Sequence, residues 1–147
     1  MQPINGLYAI FAVLFIVTAC LLVLVLPYTL RFFRIPRIFN GTLLLFIVML
    51  LVGIGIQFQD NFNCDERHMI FYPLYIISFL LLYKLCDTIV LKKLNRNMYY
   101  LTPRGITDEE SQNSTIAENI MQFAIIAISF YFPYLISSWI LKLWFGC

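Results

Sequence analysis

Four long apolar stretches, joined by short polar segments, constrain this chain more than any other feature of its sequence. The stretches cover about residues 7–28, 41–58, 69–91 and 120–144. A helix rises about 1.5 Å per residue, so about 20 apolar residues cross the roughly 30 Å hydrocarbon core of a bilayer. Because each backbone polar group in that core must be paired, such runs form helices. The sequence predicts an all-α, polytopic integral membrane protein with a bundle of four transmembrane helices.

The composition agrees with this fold class. The chain has 147 residues, of which 61% are hydrophobic and 12% are charged, whereas a soluble domain is nearer half apolar and a quarter charged. Transmembrane strands would alternate apolar and polar residues, and the run from Leu43 to Val52 does not alternate. The polar loop at 92–118 is too short to fold alone. We therefore expect a single membrane domain over residues 1–147.

Capping signals divide the loop at 92–118 into parts. Thr115 and Glu118 have the spacing of a capping box, which predicts that the fourth helix begins near Ile116. Thr107 and Glu110 have the same spacing and predict a short amphipathic helix within the loop.

The basic residues predict an orientation. Most of them lie in the first and third loops, and the positive-inside rule places these loops on the inner side and both termini on the outer side. Pro36 disfavours a helical conformation at Ile35, so the first of these loops is interpreted as a linker along the membrane surface. We expect basic side chains of both loops to contact anionic lipid headgroups: Arg31, Arg34, Arg37, Lys92, Lys93 and Arg96.

The second loop is predicted to lie outside, facing a partner. Its charged residues and its histidine are Asp60, Asp65, Glu66, Arg67 and His68. Cys64 and Cys147 fall on the same predicted side and suggest a disulfide if that side is oxidising. The alternative is two unrelated free thiols. The spacing of the Cys, His and acidic residues lacks the paired ligands of a metal site, so no metal is expected.

Two groups of polar residues lie within the predicted spans. Lys84 and Asp87 lie ~22 Å and ~27 Å along the third helix from Met69, in the inner third of the bilayer. One interpretation is a buried ion pair or a proton or ion relay. The alternative is that Lys84 extends to the inner interface and that Asp87 pairs with it or with Lys92 or Arg96. The fourth span contains Ser129, Tyr131 and Pro133, which indicate either a transport site or a packed kink.

The motifs do not indicate catalysis. There is no HExxH, GxSxG or phosphate-binding glycine loop, and the net charge of +2 does not favour nucleic acid. We expect a non-catalytic membrane protein without a cofactor, with membrane lipids and other membrane subunits or copies of itself as partners. It would be an accessory subunit of a larger complex or a small immunity-type or regulatory protein. The alternatives are a subunit of an oligomeric channel or transporter that uses Lys84 and Asp87, and a small membrane enzyme acting on lipid.

Overall fold

The computed structural model of the protein describes residues 32–58, 63–99 and 113–147, without the side chains of Asp65 and Glu66. Several predictions fall outside these residues. They are the first span at 7–28, the short loop helix near Thr107, and the roles of Arg31 and Asp60.

Four helices lie wholly within the described residues, which contain no strand. The helices are α1 (Pro36–Gln57), α2 (Cys64–Ile70), α3 (Tyr72–Leu94) and α4 (Ile116–Phe145). Three segments are long and apolar enough to cross a membrane: α1 with 22 residues, Arg67–Leu94 with 28, and α4 with 30. The all-helical prediction is confirmed for the described residues, whereas the count of four spans is not.

The long helix α3 is the centre of the described bundle, because both α1 and α4 pack mainly against it. Two hydrophobic clusters hold them together. The first joins α1 to α3 and consists of Phe39, Phe46, Ile76, Ile77 and Leu80. The second joins α3 to α4 and consists of Phe79, Tyr83, Val90, Met98 and Ile125.

The three long helices alternate in direction. The start of α1, the end of α3 and the start of α4 therefore lie together at one end of the bundle, and the opposite ends lie together at the other. At the basic end, Arg34 precedes α1 and contacts Met98, which follows α3. At the disulfide end, Cys64 begins α2 and is bonded to Cys147, which follows α4. The names "basic end" and "disulfide end" are used below for these two regions.

The linker predicted between the first two spans is corrected in one respect, since its last residues, from Pro36 on, are helical. Helix α1 begins at Pro36, five residues before the predicted span, and Pro36 occupies its first turn. Proline is favoured there because its missing N–H would have no partner within the helix in any case. Ile35 is extended, as the preceding position of a proline should be.

The interpretation of Cys64 to His68 as a loop is also wrong. These residues belong to helix α2, which ends at Ile70 and is separated from α3 by Phe71 alone. The third long helix also continues to Leu94, beyond the predicted 91, and ends at Asn95 in a left-handed conformation. The fourth begins at Ile116 with the expected capping box between Thr115 and Glu118.

Helix α1 approaches α2 closely at Gly53. A Cβ atom at this position would lie 2.6 Å from Ile70 Cγ2 and 3.3 Å from the Ile70 carbonyl oxygen. A Cβ atom at Gly55, two residues further on, would meet no atom within 4 Å. Gly53 is therefore needed for the close contact with α2, whereas Gly55, in the same turn of α1, is not.

We expect Gly53→Ala to destabilise the protein by about 1–3 kcal/mol, because Ile70 and its backbone must move to admit the methyl group. The matched variant Gly55→Ala should be neutral or stabilise by up to about 1 kcal/mol, since alanine is the better helix former. Thermal unfolding of both variants in detergent measures the difference. Equal unfolding midpoints for the two would contradict the close α1–α2 contact.

Candidate functional site

The polar side chains of the basic end converge on the backbone of Met98 and Tyr99. The Met98 N–H donates to Asp87 Oδ1 at 2.9 Å, and the Met98 carbonyl accepts from Arg34 Nη2 at 2.9 Å. The Tyr99 carbonyl accepts from Gln122 Nε2 at 2.7 Å. Met98 is fully buried, so its backbone groups need these partners in place of water. Side chains from three parts of the chain thus fix the segment that leaves α3.

Glu118 is the most heavily bonded group of this site. Its carboxylate accepts from Arg96 Nη1 and Nη2 at 2.7 and 2.9 Å and from the Tyr99 N–H at 3.0 Å. It also accepts from the N–H and the hydroxyl of Thr115, each at 2.8 Å. The Arg96 guanidinium lies 3.9 Å from the centroid of the Tyr99 ring. Glu118 therefore serves at once as helix cap, ion-pair partner and loop anchor.

These contacts shift the pKa of both charged groups. Burial of the Glu118 carboxyl raises its pKa, but the hydrogen bonds from Arg96, Thr115 and Tyr99 together outweigh burial and lower the pKa to about 2. The hydrogen bond to Glu118 raises the pKa of Arg96. The pair is therefore ionised at neutral pH, and its chemistry suits holding structure together more than exchanging protons.

The depressed pKa of Glu118 predicts a loss of stability in acid. Its contribution to stability is present above about pH 4.5, the ordinary value, and is lost as the pH falls towards 2. We expect Glu118→Gln to destabilise the protein by about 1–3 kcal/mol at pH 7 and to flatten the pH dependence of thermal unfolding below pH 5. Glu110→Gln, which removes the same charge elsewhere, is the control. Identical pH profiles for all three proteins would refute this role.

Asp87 and Lys84 point to different parts of the bundle. Asp87 is buried and hydrogen-bonds to the Met98 N–H, whereas the sequence suggested Lys84, Lys92 or Arg96 as its partner. Lys84 is half-buried, with Nζ 5.7 Å from the centroid of the Phe39 ring. The structure thus directs the aspartate towards the loop backbone and the lysine towards α1.

The three candidate residues of α4 lie on two faces of the helix. Ser129 and Pro133 belong to the buried stripe that faces α3, and α4 continues through Pro133 without interruption. Tyr131 is 66% exposed and points away from them. Ser129 Oγ is buried and has no hydrogen-bond partner among the described residues.

The basic residues divide into two groups. Arg34 and Arg96 are partly buried and bonded within the protein, to Met98 and Glu118 respectively. The side chains of Arg37, Lys92 and Lys93 are exposed. The sequence predicted lipid contacts for all of them, because the order of residues in a basic loop does not indicate which cations bind a group within the protein. It also identified Glu118 only as a cap, since its partner Arg96 is 22 residues away.

At the disulfide end, the Cys64–Cys147 bridge joins residues whose Cα atoms are 5.7 Å apart. Beside it, Arg67 donates to the Gln57 carbonyl, and Gln57 Nε2 donates to the Arg67 carbonyl at 2.8 Å. The Arg67 guanidinium carbon lies 4.0 Å from the centroid of the Phe145 ring. These contacts tie the end of α1, the whole of α2 and the end of α4 into one unit.

The residues expected to face a partner are in part turned inward here. Arg67 is buried, and the His68 ring stacks on Tyr134 with centroids 5.9 Å apart. The described residues contain no group of three or more His, Cys, Asp or Glu side chains placed to hold a metal ion.

No protein family, curated protein or solved structure matches this chain. The arrangement itself has to indicate what the molecule does. Its buried charges bind backbone groups and each other, and α1 and α4 expose many large apolar side chains.

Proposed function

We propose that this chain is a non-catalytic integral membrane protein that acts by packing its helices against other membrane helices. It would be an accessory subunit of a membrane complex or a small regulatory partner. The proposal assigns it four spans, with residues 7–28 as the first, and places the basic end inside and the disulfide end outside.

The single observation that carries this proposal is the outer face of α1. The buried residues Phe39, Phe46 and Gly53 recur every seven positions and face the rest of the bundle. Gly41 and Gly55 lie on the opposite side, 14 residues apart, and neither has an atom within 4 Å of where its Cβ would be. Small residues on an apolar face let a second helix approach closely within a membrane.

The chemistry of the basic end is consistent with the same function. Glu118 accepts hydrogen bonds from Arg96, Thr115 and Tyr99, and Asp87 accepts one from Met98. Charged groups held in this way stabilise a bundle. A transport path would instead need them to face a hydrated route and to exchange protons or ions.

Larger side chains at Gly41 and Gly55 of α1 should prevent the binding of another membrane helix without unfolding the bundle. We expect the double variant Gly41→Leu/Gly55→Leu, purified in mild detergent, to lose the additional protein or second copy that accompanies the wild type. The matched control enlarges two exposed small residues of α4, Ala124→Leu/Ala127→Leu, and should keep that partner. Light scattering and mass spectrometry measure the assembly.

Two results would contradict this function. The first is a wild-type protein that is monomeric and carries no partner after extraction in mild detergent. The second is equal loss of the partner in the α1 and α4 double variants, which would show a general effect of bulk.

The proposed orientation has its own test. In microsomes, a glycosylation tag appended after Cys147 should be modified. A sequon created by Gly105→Asn, which gives Asn-Ile-Thr between α3 and α4, should stay unmodified.

The Cys64–Cys147 disulfide requires that the outer side be oxidising. The denatured chain should therefore take up two more maleimide groups after reduction than before it. In Cys64→Ser that increase should disappear, whereas in Cys86→Ser it should remain. The reverse glycosylation pattern would overturn the orientation.

A further inference from the structure

Helix α3 exposes a narrow apolar face in its middle although it is the central helix. Leu91 and Leu94 are exposed as well, nearer its end. Leu81 and Leu85 are 51% and 57% exposed, and Lys92 is exposed as well. These positions, four and seven residues apart, lie above one another on a helix. Thr88 completes the face, and its hydroxyl donates to the Lys84 carbonyl at 2.7 Å. Because that hydroxyl is satisfied within the helix, the face is in effect apolar up to Lys92.

We propose that this face binds an anionic phospholipid, with the phosphate at Lys92 and Lys93 and an acyl chain along Leu85 and Leu81. The dimensions of the face fit one leaflet. Eleven residues separate Leu81 from Lys92, which corresponds to a rise of ~16 Å, and half of a ~30 Å hydrocarbon core is ~15 Å. Lys93 adds a second ammonium group in the same last turn of α3.

The charges around the end of α3 select these lysines, whereas Arg37, which is also exposed at the basic end, belongs to α1. Arg96 is neutralised by Glu118, and Arg34 is bonded to the Met98 carbonyl. Asp87 is buried and bonded to the Met98 N–H. The positive charge presented to the surroundings at the end of α3 is therefore that of Lys92 and Lys93. A lipid with net negative charge gains from both ammonium groups, whereas a zwitterionic headgroup brings its own cation to the site.

This site depends on the proposed function only in requiring that α3 cross a bilayer. A reversed glycosylation pattern would change the leaflet and leave the lipid preference intact. A chain without a partner would likewise leave it intact. Failure of the lipid site is therefore distinguishable from failure of the proposed function.

Native mass spectrometry of the full chain tests the proposal, with phosphatidylglycerol and phosphatidylcholine added in equal amounts. We expect the wild type to retain phosphatidylglycerol preferentially. Each lysine near the surface contributes about a fivefold factor in affinity, so Lys92→Gln/Lys93→Gln should weaken phosphatidylglycerol binding by about tenfold or more. Leu81→Ser/Leu85→Ser should weaken it while keeping the preference over phosphatidylcholine. Lys142→Gln, an exposed lysine near the other end of the bundle, is the matched control and should bind as the wild type does.

Three outcomes would overturn the lipid site. The first is a double lysine variant that binds phosphatidylglycerol within twofold of Lys142→Gln. The second is equal retention of water-soluble glycerol phosphate, which would indicate a free-phosphate site without an acyl chain. The third concerns the acidic run Asp108-Glu109-Glu110 between α3 and α4. If neutralising that run abolishes the effect of the lysine substitutions, the lysines serve the loop and not a lipid.

Discussion

The fold of the described bundle depends on how the chain satisfies backbone groups where it leaves α3. Met98 is buried at the end of the helices, so its N–H and carbonyl groups must find partners in the protein. Asp87 and Arg34 provide them, while Glu118 and Gln122 bind the backbone of Tyr99. Because these side chains come from α3, α4 and the segment before α1, the anchored loop also sets how the three long helices lie relative to one another. The buried carboxylates of Asp87 and Glu118 thus serve to position the segment that follows α3.

The two ends of the bundle achieve the same result by different means. The basic end relies on ionised side chains and hydrogen bonds, with Glu118 and Arg96 at its centre. The disulfide end relies on the bond between Cys64 and Cys147 and on the packing of Arg67 against Phe145. The apolar helices between them are held by side-chain packing, including the close approach at Gly53. Lipid tails are as apolar as the helix surfaces, so apolar helices gain little free energy of association from burial in a membrane. Specific contacts at both ends of the bundle therefore fix how such helices are arranged.

This division of labour leaves particular surfaces for binding. The face of α1 that carries Gly41 and Gly55 is the one we propose to bind another helix, and the face of α3 that ends at Lys92 is the one we propose to bind a charged lipid. Both surfaces lie outside the network that holds the bundle together.

The sequence by itself determined the class of the fold, because long apolar runs in a membrane have few alternatives to helices. It also located the start of α4, since the capping box of Thr115 and Glu118 is local. The predictions of non-helical structure at Pro36 and at Cys64 to His68 were wrong, because a proline or a polar run is compatible with either a loop or the first turn of a helix. The tertiary structure alone decided that Asp87 binds Met98, that Arg96 pairs with Glu118, and that Arg67 turns inward. These pairings join residues far apart along the chain, and only the packing of the helices determines which of several nearby charges come within hydrogen-bond distance.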